Sequence, residues 1–131
     1  MNERSDPRGS VLLVEDDRVL APILERYLAA HGYEVRVAGS AEDAERQLGW
    51  GFEPGLVILD LNLPGDTGWS LIRSPQLVAA GSPPVLVATA TPVSPRRLRE
   101  YGAAGYLPKP FPLETLLATV GRLLETRNKE K

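Results

Sequence analysis

Cysteine is absent from the 131 residues, which excludes disulfides, thiol catalysis and cysteine-ligated zinc. Histidine is nearly absent. The single one, His31, stands near an expected helix C-terminus, where a polar or positive group is locally favourable. Neither sign of charge is in excess: 15 Lys and Arg against 17 Asp and Glu leave a formal net charge of −2. That balance marks no surface for nucleic acid or anionic membrane. Met1 to Ser10 is charged and lacks an apolar core, so it does not read as a secretory signal. The expected location is cytoplasmic. With 43% apolar residues, disorder and membrane spanning are both poor readings, and the length suits one domain with one core.

What is present is an alternation of five β-then-α units. Val11-Leu12-Leu13-Val14 reads as a strand buried on both faces and runs into Glu15-Asp16-Asp17. Leu20, Ile23, Leu24, Tyr27 and Leu28 follow at helical spacing, closed by Gly32. Pro22 requires either a late helix start or a kink. A shorter strand nearer an edge covers Glu34 to Val37. Ser40, with Asp43 three residues on, resembles a capping box and opens a helix to Leu48. Leu56-Val57-Ile58-Leu59 runs into Asp60 and then the turn-forming stretch Asn62-Leu63-Pro64-Gly65-Asp66-Thr67-Gly68. A third helix begins at Gly68 to Ile72, and Pro75 either interrupts it or bends it. Val85-Leu86-Val87-Ala88 runs into Thr89. A short fourth helix covers Pro95 to Tyr101, with proline in its first turn. Gly105 to Pro108 is the fifth strand and runs into Lys109. Pro112 starts an amphipathic helix whose stripe of Leu113, Leu116, Leu117, Val120, Leu123 and Leu124 reads first as core. The expected limits are a flexible arm over 1–9, one domain over 10–126 and a polar tail over 127–131.

Strands alternating with helices imply a parallel sheet. The expected fold class is α/β: a three-layer doubly wound (βα)5 sandwich with a flavodoxin-like five-stranded sheet in the order 2-1-3-4-5. In such a sheet the carboxyl ends of the strands share one edge. Glu15, Asp16, Asp60, Thr89 and Lys109 would meet there. Clustered carboxylates raise one another's pKa unless something positive joins them. Hard oxygen donors without sulfur or histidine favour magnesium, or manganese, over zinc. Magnesium keeps waters and borrows phosphate oxygens, which points to a phosphoryl substrate. Asp60 is then either a ligand alone or also a nucleophile, since aspartyl phosphates are an established covalent form. Lys109 and Thr89 supply the charge and hydroxyl that stabilise phosphoryl oxygens.

Four segments together resemble the bacterial response-regulator receiver domain, over residues 10–126. They are Leu13-Val14-Glu15-Asp16-Asp17, Asp60 with Pro64 and Gly68, Thr89-Ala90, and Tyr106-Leu107-Pro108-Lys109-Pro110-Phe111. The resemblance implies a two-component phosphorelay switch. Asp60 would accept a phosphoryl group from a sensor histidine kinase or a histidine phosphotransfer protein. Asp16, Asp60 and the Asn62 backbone carbonyl would bind Mg2+ (Mn2+ being possible), with Glu15 acting mainly through water. Lys109, aimed by a cis bond to Pro110, would contact the phosphoryl group. Thr89 and Tyr106 would form the switch pair. Asn62 and Thr91 would tune hydrolysis of the aspartyl phosphate. Output to a downstream target would pass through the fourth helix, fifth strand and fifth helix. The resemblance implies no nucleic acid or membrane partner, and no enzymatic activity beyond self-catalysed phosphotransfer and dephosphorylation.

Two features depart from the family pattern. The stretch between Thr89 and Lys109 is about two residues short and carries Pro92 and Pro95 ahead of the fourth helix. Ala104-Gly105 replaces the acidic pair that helps winged-helix regulators form a symmetric dimer, so that dimer is not expected. A phosphorylation-independent interaction module on the same fold is the alternative reading. A phosphatase of the haloacid dehalogenase type would need an aspartate where Asn62 stands. Plainer readings attach to other residues: Asp17 as a helix cap, Arg96, Arg97 and Arg99 as a solvated face, and Trp69 as packing near the site. Trp50 has no assigned role.

Overall fold

The computed structural model describes residues 8–63 and 66–129. Most of the expected N-terminal arm, Pro64 and Gly65 of the turn, and the end of the expected tail lie outside the described residues. In chain order the elements are β1 (Gly9–Val14), α1 (Leu20–Ala30), β2 (Tyr33–Ala38), α2 (Ala41–Gly49) and β3 (Leu56–Leu59). Then come β4 (Asn62–Leu63), β5 (Asp66–Thr67), α3 (Trp69–Ile72), α4 (Pro75–Ala79), β6 (Val85–Thr89), α5 (Pro95–Tyr101), β7 (Gly105–Pro108) and α6 (Leu113–Lys129). The main sheet has five parallel strands in the order β2-β1-β3-β6-β7. Counting only these strands along the chain, that is the expected 2-1-3-4-5. β4 and β5 form a separate two-stranded antiparallel pair that the sequence reading did not contain.

The sheet is buried on both faces because its central strands are apolar over Val11–Val14, Leu56–Leu59 and Val85–Ala88. Alternate residues face opposite layers. Leu12, Val14, Val57, Leu59, Val85 and Val87 pack with Ala44, Leu48, Leu71 and Leu77 of α2, α3 and α4. Val11, Leu13, Leu56, Ile58, Leu86 and Ala88 pack with Leu24, Leu28, Leu116 and Val120 of α1 and α6. Two apolar cores with one sheet between them make the three layers.

The prolines are placed by helix-end chemistry. Pro22 lies in the first turn of α1, where its missing N–H has no intrahelical role; of the two options, the late start is realised. Pro75 ends one helix and begins another. α3 stops at Ile72, and Ser74 accepts a hydrogen bond from Leu77 N–H at 3.1 Å with Pro75 at the first position of α4. Ser94 and Pro95 open α5 in the same way. Ser40 accepts from Asp43 N–H, but the Asp43 carboxylate reaches Gly39 N–H, so only half of the expected capping box forms. At the ends, Arg8 N–H already bonds Gly32 O at 2.8 Å, and α6 continues to Lys129. The ordered elements thus extend past the expected limits at both ends, and the stretch expected as a polar tail is helical as far as it is described.

Candidate functional site

The sheet ladder continues one residue beyond three strands and fixes the site residues. Glu15 N–H donates to Ala38 O, Asp60 N–H to Val14 O and Lys109 N–H to Thr89 O, at 2.9, 3.0 and 3.0 Å. Each functional side chain therefore departs from a position held like a strand residue, at the carboxyl edge where open α/β sheets bind ligands. Gly68 makes this edge possible. A Cβ there would lie 2.7 Å from the Asp60 carbonyl oxygen and 3.0 Å from Leu59 Cδ1. Only glycine lets the chain leaving β5 pass this close behind Asp60.

Lys109 Nζ sits between two carboxylates, 2.8 Å from Asp60 Oδ2 and 2.5 Å from Glu15 Oε1. Both acids are buried, at 5% and 4% exposure. Asp16 completes the cluster from the exposed side, and one carboxylate oxygen from each of Glu15, Asp16 and Asp60 lies within 4.8 Å of the others. Asn62 N–H donates to Asp60 Oδ1 at 3.0 Å, and Asp17 N–H donates to Glu15 Oε2 at 3.1 Å. Asp17 itself turns away from the cluster. Its Oδ1 accepts from Val19 and Leu20 N–H at 2.9 and 3.0 Å, the expected cap at the head of α1, and those bonds hold its carboxyl below the usual range.

The carboxylates respond differently to burial. Burial pushes the Asp60 carboxyl up, but hydrogen bonds from Lys109, Asn62 N–H and Thr89, with the Lys109 charge, outweigh it and leave Asp60 below the usual range. For Glu15 burial prevails, aided by the Asp60 charge, and its carboxyl is raised despite Lys109. Burial lowers the Lys109 ammonium, but its bonds to Asp60 and Glu15 more than reverse this and raise it. The low-pKa member, Asp60, is the better poised to act as an anion.

The donor set suits a hard divalent cation: three carboxylates converge, all donors are oxygen, and one lysine leaves the group net negative. Thr89 is fully buried, and its Oγ1 accepts from Thr91 N–H at 3.2 Å. Tyr106 is half-buried, pairs in register with Val87 and packs on the core cluster beneath Asp60. The Lys109-Pro110 peptide is cis. The structure thus brings together Glu15, Asp16, Asp60, Thr89 and Lys109, with Asn62 at the rim, while Tyr106 lies on the neighbouring core layer.

A cleft of about 510 Å3 is lined by Glu15, Asp16 and Asp17 themselves, and two more flank the site. One, of about 360 Å3, lies between the segment after Asp60 and the segment after Thr89, lined by Asn62, Trp69, Thr91, Val93 and Arg97 among others. The other, of about 330 Å3, is apolar and lined by Leu20, Leu24, Lys109, Phe111 and Leu113. A larger cavity of about 560 Å3 lies around Gly9, Gly55 and Arg127, at the opposite end of the sheet from the acids. The sequence reading missed how Arg97 is used. Its guanidinium lies over Trp69 and Tyr101, 5.4 and 5.6 Å from the ring centroids, and those rings stack at 4.4 Å. The i,i+4 spacing of Arg97 and Tyr101 was the available signal.

Residues 11–121 match the response regulator receiver domain family, and the chain belongs to it. It is a receiver module of two-component response regulators, a phosphoacceptor switch. It is 40% identical over 120 residues to the transcriptional regulatory protein GltR of Pseudomonas aeruginosa, covering 88% of this chain and 48% of the relative. It is 36% identical over 119 residues to the DNA-binding transcriptional regulator NtrC of a Bradyrhizobium strain, covering 90% of this chain and 25% of the relative. The chain therefore spans about half or less of the length of these relatives. Among solved structures, a Vibrio cholerae chemotaxis response regulator aligns with TM-score 0.78 at 29% identity, over 88% of this chain and 98% of that one. A CheY-like receiver from Methanospirillum hungatei shares the fold, with TM-score 0.84 at 24% identity over 93% and 98%. Nothing in the site favours the phosphorylation-independent alternative. No described helix is long and apolar enough to cross a membrane.

Proposed function

We propose that Asp60 is the phosphoacceptor and that Glu15, Asp16, Asp60 and the Asn62 backbone carbonyl hold Mg2+, or Mn2+ in its place. The observation that carries this reading is the two-sided contact of Lys109 with Asp60 and Glu15 inside the acid cluster. The donor is a phosphohistidine on a sensor kinase or a histidine phosphotransfer protein. An Asp60 carboxylate oxygen attacks phosphorus, the P–N bond breaks, and the leaving imidazole takes a proton from solvent. The metal, when bound, neutralises charge on the phosphoryl oxygens. Lys109 exchanges its Asp60 contact for a phosphoryl oxygen, so its charge follows the group being transferred. Thr89 donates its hydroxyl to the same group, and Tyr106 takes up the space that this movement frees. The result is a two-state element biased by local charge. Its output face is α5, β7 and α6, and its setting is the cytoplasm. Hydrolysis reverses the switch: water attacks phosphorus, phosphate leaves, and the Asp60 carboxylate is restored.

The test uses Mg2+ and phosphoramidate as donor, with phosphoprotein resolved by gel shift. The wild type should be labelled in a Mg2+-dependent way, Asp60→Asn should not be labelled, and Asp16→Asn should need more Mg2+. Full labelling of Asp60→Asn would refute the assignment.

A further inference from the structure

Among the described residues that line the cleft of Asn62 and Trp69, Arg97 alone carries a formal charge, and it lies outside the machinery described above. Asn62 and Thr91 form the cleft's inner rim. Both are tied to the site by their backbones, Asn62 N–H to Asp60 Oδ1 and Thr91 N–H to Thr89 Oγ1. The opposite wall is Trp69 with Arg97. Arg97 makes no ion pair among the described residues, whereas its neighbour Arg96 pairs with Glu100 at 3.4 Å. Instead its guanidinium sits over the rings of Trp69 and Tyr101 at 5.4 and 5.6 Å, and Arg73 lies over Tyr101 at 4.3 Å. Arg97 is exposed, and these ring contacts are what bias its position at the cleft wall.

We propose that Arg97 is a positioning residue for the aspartyl-phosphate reaction: held over the rings of Trp69 and Tyr101, it walls the cleft through which water reaches the phosphoryl group and so sets how long that group survives. The inference rests on Asp60 being the phosphoacceptor. Arg97 touches no reacting atom. It narrows the opening between the two segments that carry Asn62 and Thr91, and it does so only while it remains over those rings. Its partner Trp69 starts α3 and Arg97 itself lies on α5, so the wall exists only when α5 is seated. Loss of an exposed cation–aromatic contact shifts an equilibrium by about two- to five-fold, and the lifetime should shorten by a similar factor.

The experiment labels the whole chain with phosphoramidate and Mg2+, removes the donor, and follows loss of the aspartyl phosphate in the wild type, Arg97→Ala, Arg97→Lys and Trp69→Leu. All four should be labelled at similar rates, because none of the altered residues contacts the acid cluster. The three variants should lose label about two- to five-fold faster than the wild type. Arg97→Lys is the decisive arm, since it keeps the charge and loses the guanidinium. If Lys preserves the wild-type lifetime while Ala shortens it, charge and not the guanidinium's ring contact acts, and the wall is overturned. Unchanged lifetimes throughout would overturn it too. If the wild type takes no label, or Asp60→Asn run beside it takes full label, the phosphoacceptor assignment itself has failed. That outcome is distinct from the other two.

Discussion

Lys109 is one cation serving two buried acids, and its loss would be felt through both. In the wild type the lowered Asp60 carboxyl contributes stability that is present above the ordinary aspartate range and is lost as pH falls through its folded-state value. The raised Lys109 ammonium contributes fully below the ordinary lysine value of 10.5 and is lost as pH rises through its own higher folded-state value. The raised Glu15 has the opposite sign, costing stability as pH rises through the acid range. In Lys109→Met, without Mg2+, Asp60 joins Glu15 in being raised. The deficit against wild type should therefore grow from acid to neutral pH. Breaking one side of a buried ion pair costs about 3–5 kcal/mol; with Lys109 17% exposed, roughly 2–3 kcal/mol is expected at neutral pH. Urea unfolding at about pH 4 and at neutral pH checks this, and equal deficits at both would contradict it. At this scale the sequence was very legible. Glu15, Asp60, Thr89 and Lys109 each end an apolar strand, and strand ends are where a parallel sheet gathers side chains. The contact of Arg97 with Trp69 was not legible, because stacking between two distant segments leaves no periodic mark.

Among the elements, the proline-headed helices show how far capping chemistry alone carries. Ser74 and Ser94 make the same bond, each accepting from the N–H three residues on at 3.1 Å. Ser74 is 3% exposed, while Ser94 is open to solvent on a helix with no buried residue. Ser74→Ala should cost about 1–2 kcal/mol and Ser94→Ala about 0.5, since water replaces the lost acceptor only at Ser94. Chemical denaturation of both variants checks the ranking, and equal losses would show that burial does not set it. The limits of α5 were readable from Pro95 and Tyr101, because a proline start and a following glycine fix both ends. The division of the third helix was open in the sequence. Pro75 permits a bend or a break, and the Ser74 cap, which needs extended backbone, produces the break. The β4–β5 pair could not be read at all, since two-residue strands are too short to alternate.

Taken as a whole, the molecule presents different chemistry on the two sides of its site. Beside Lys109 lies the apolar recess of Leu20, Leu24 and Phe111, and nearby Val19, just ahead of α1, and Ile23 on α1 are 73% and 47% exposed. Across the site are the arginines of α5. On the reading proposed above, a histidine-bearing donor rests on the rim of the site to reach Asp60, and the apolar side offers the area that a protein partner needs. Ile23→Glu should slow phosphotransfer from a phosphorylated histidine protein at least several-fold while leaving labelling by phosphoramidate unchanged. Equal slowing with both donors would place the effect in the site instead of the docking face. This asymmetry was hidden in the sequence because Ile23 fits the helical stripe of α1 as well as Leu24 does. Only the packing shows which of the two the core takes.

The stacked pair of Trp69 and Tyr101 also gives the chain an optical signature. Its other tryptophan, Trp50, is 76% exposed on the loop after α2. The two indoles therefore emit from opposite surroundings, one from water and one from a ring stack with a guanidinium above it. Replacing Trp50 with phenylalanine would remove the solvent-exposed indole and leave a single tryptophan at the joint between α3 and α5. Any event that unseats α5 could then be timed without an added dye.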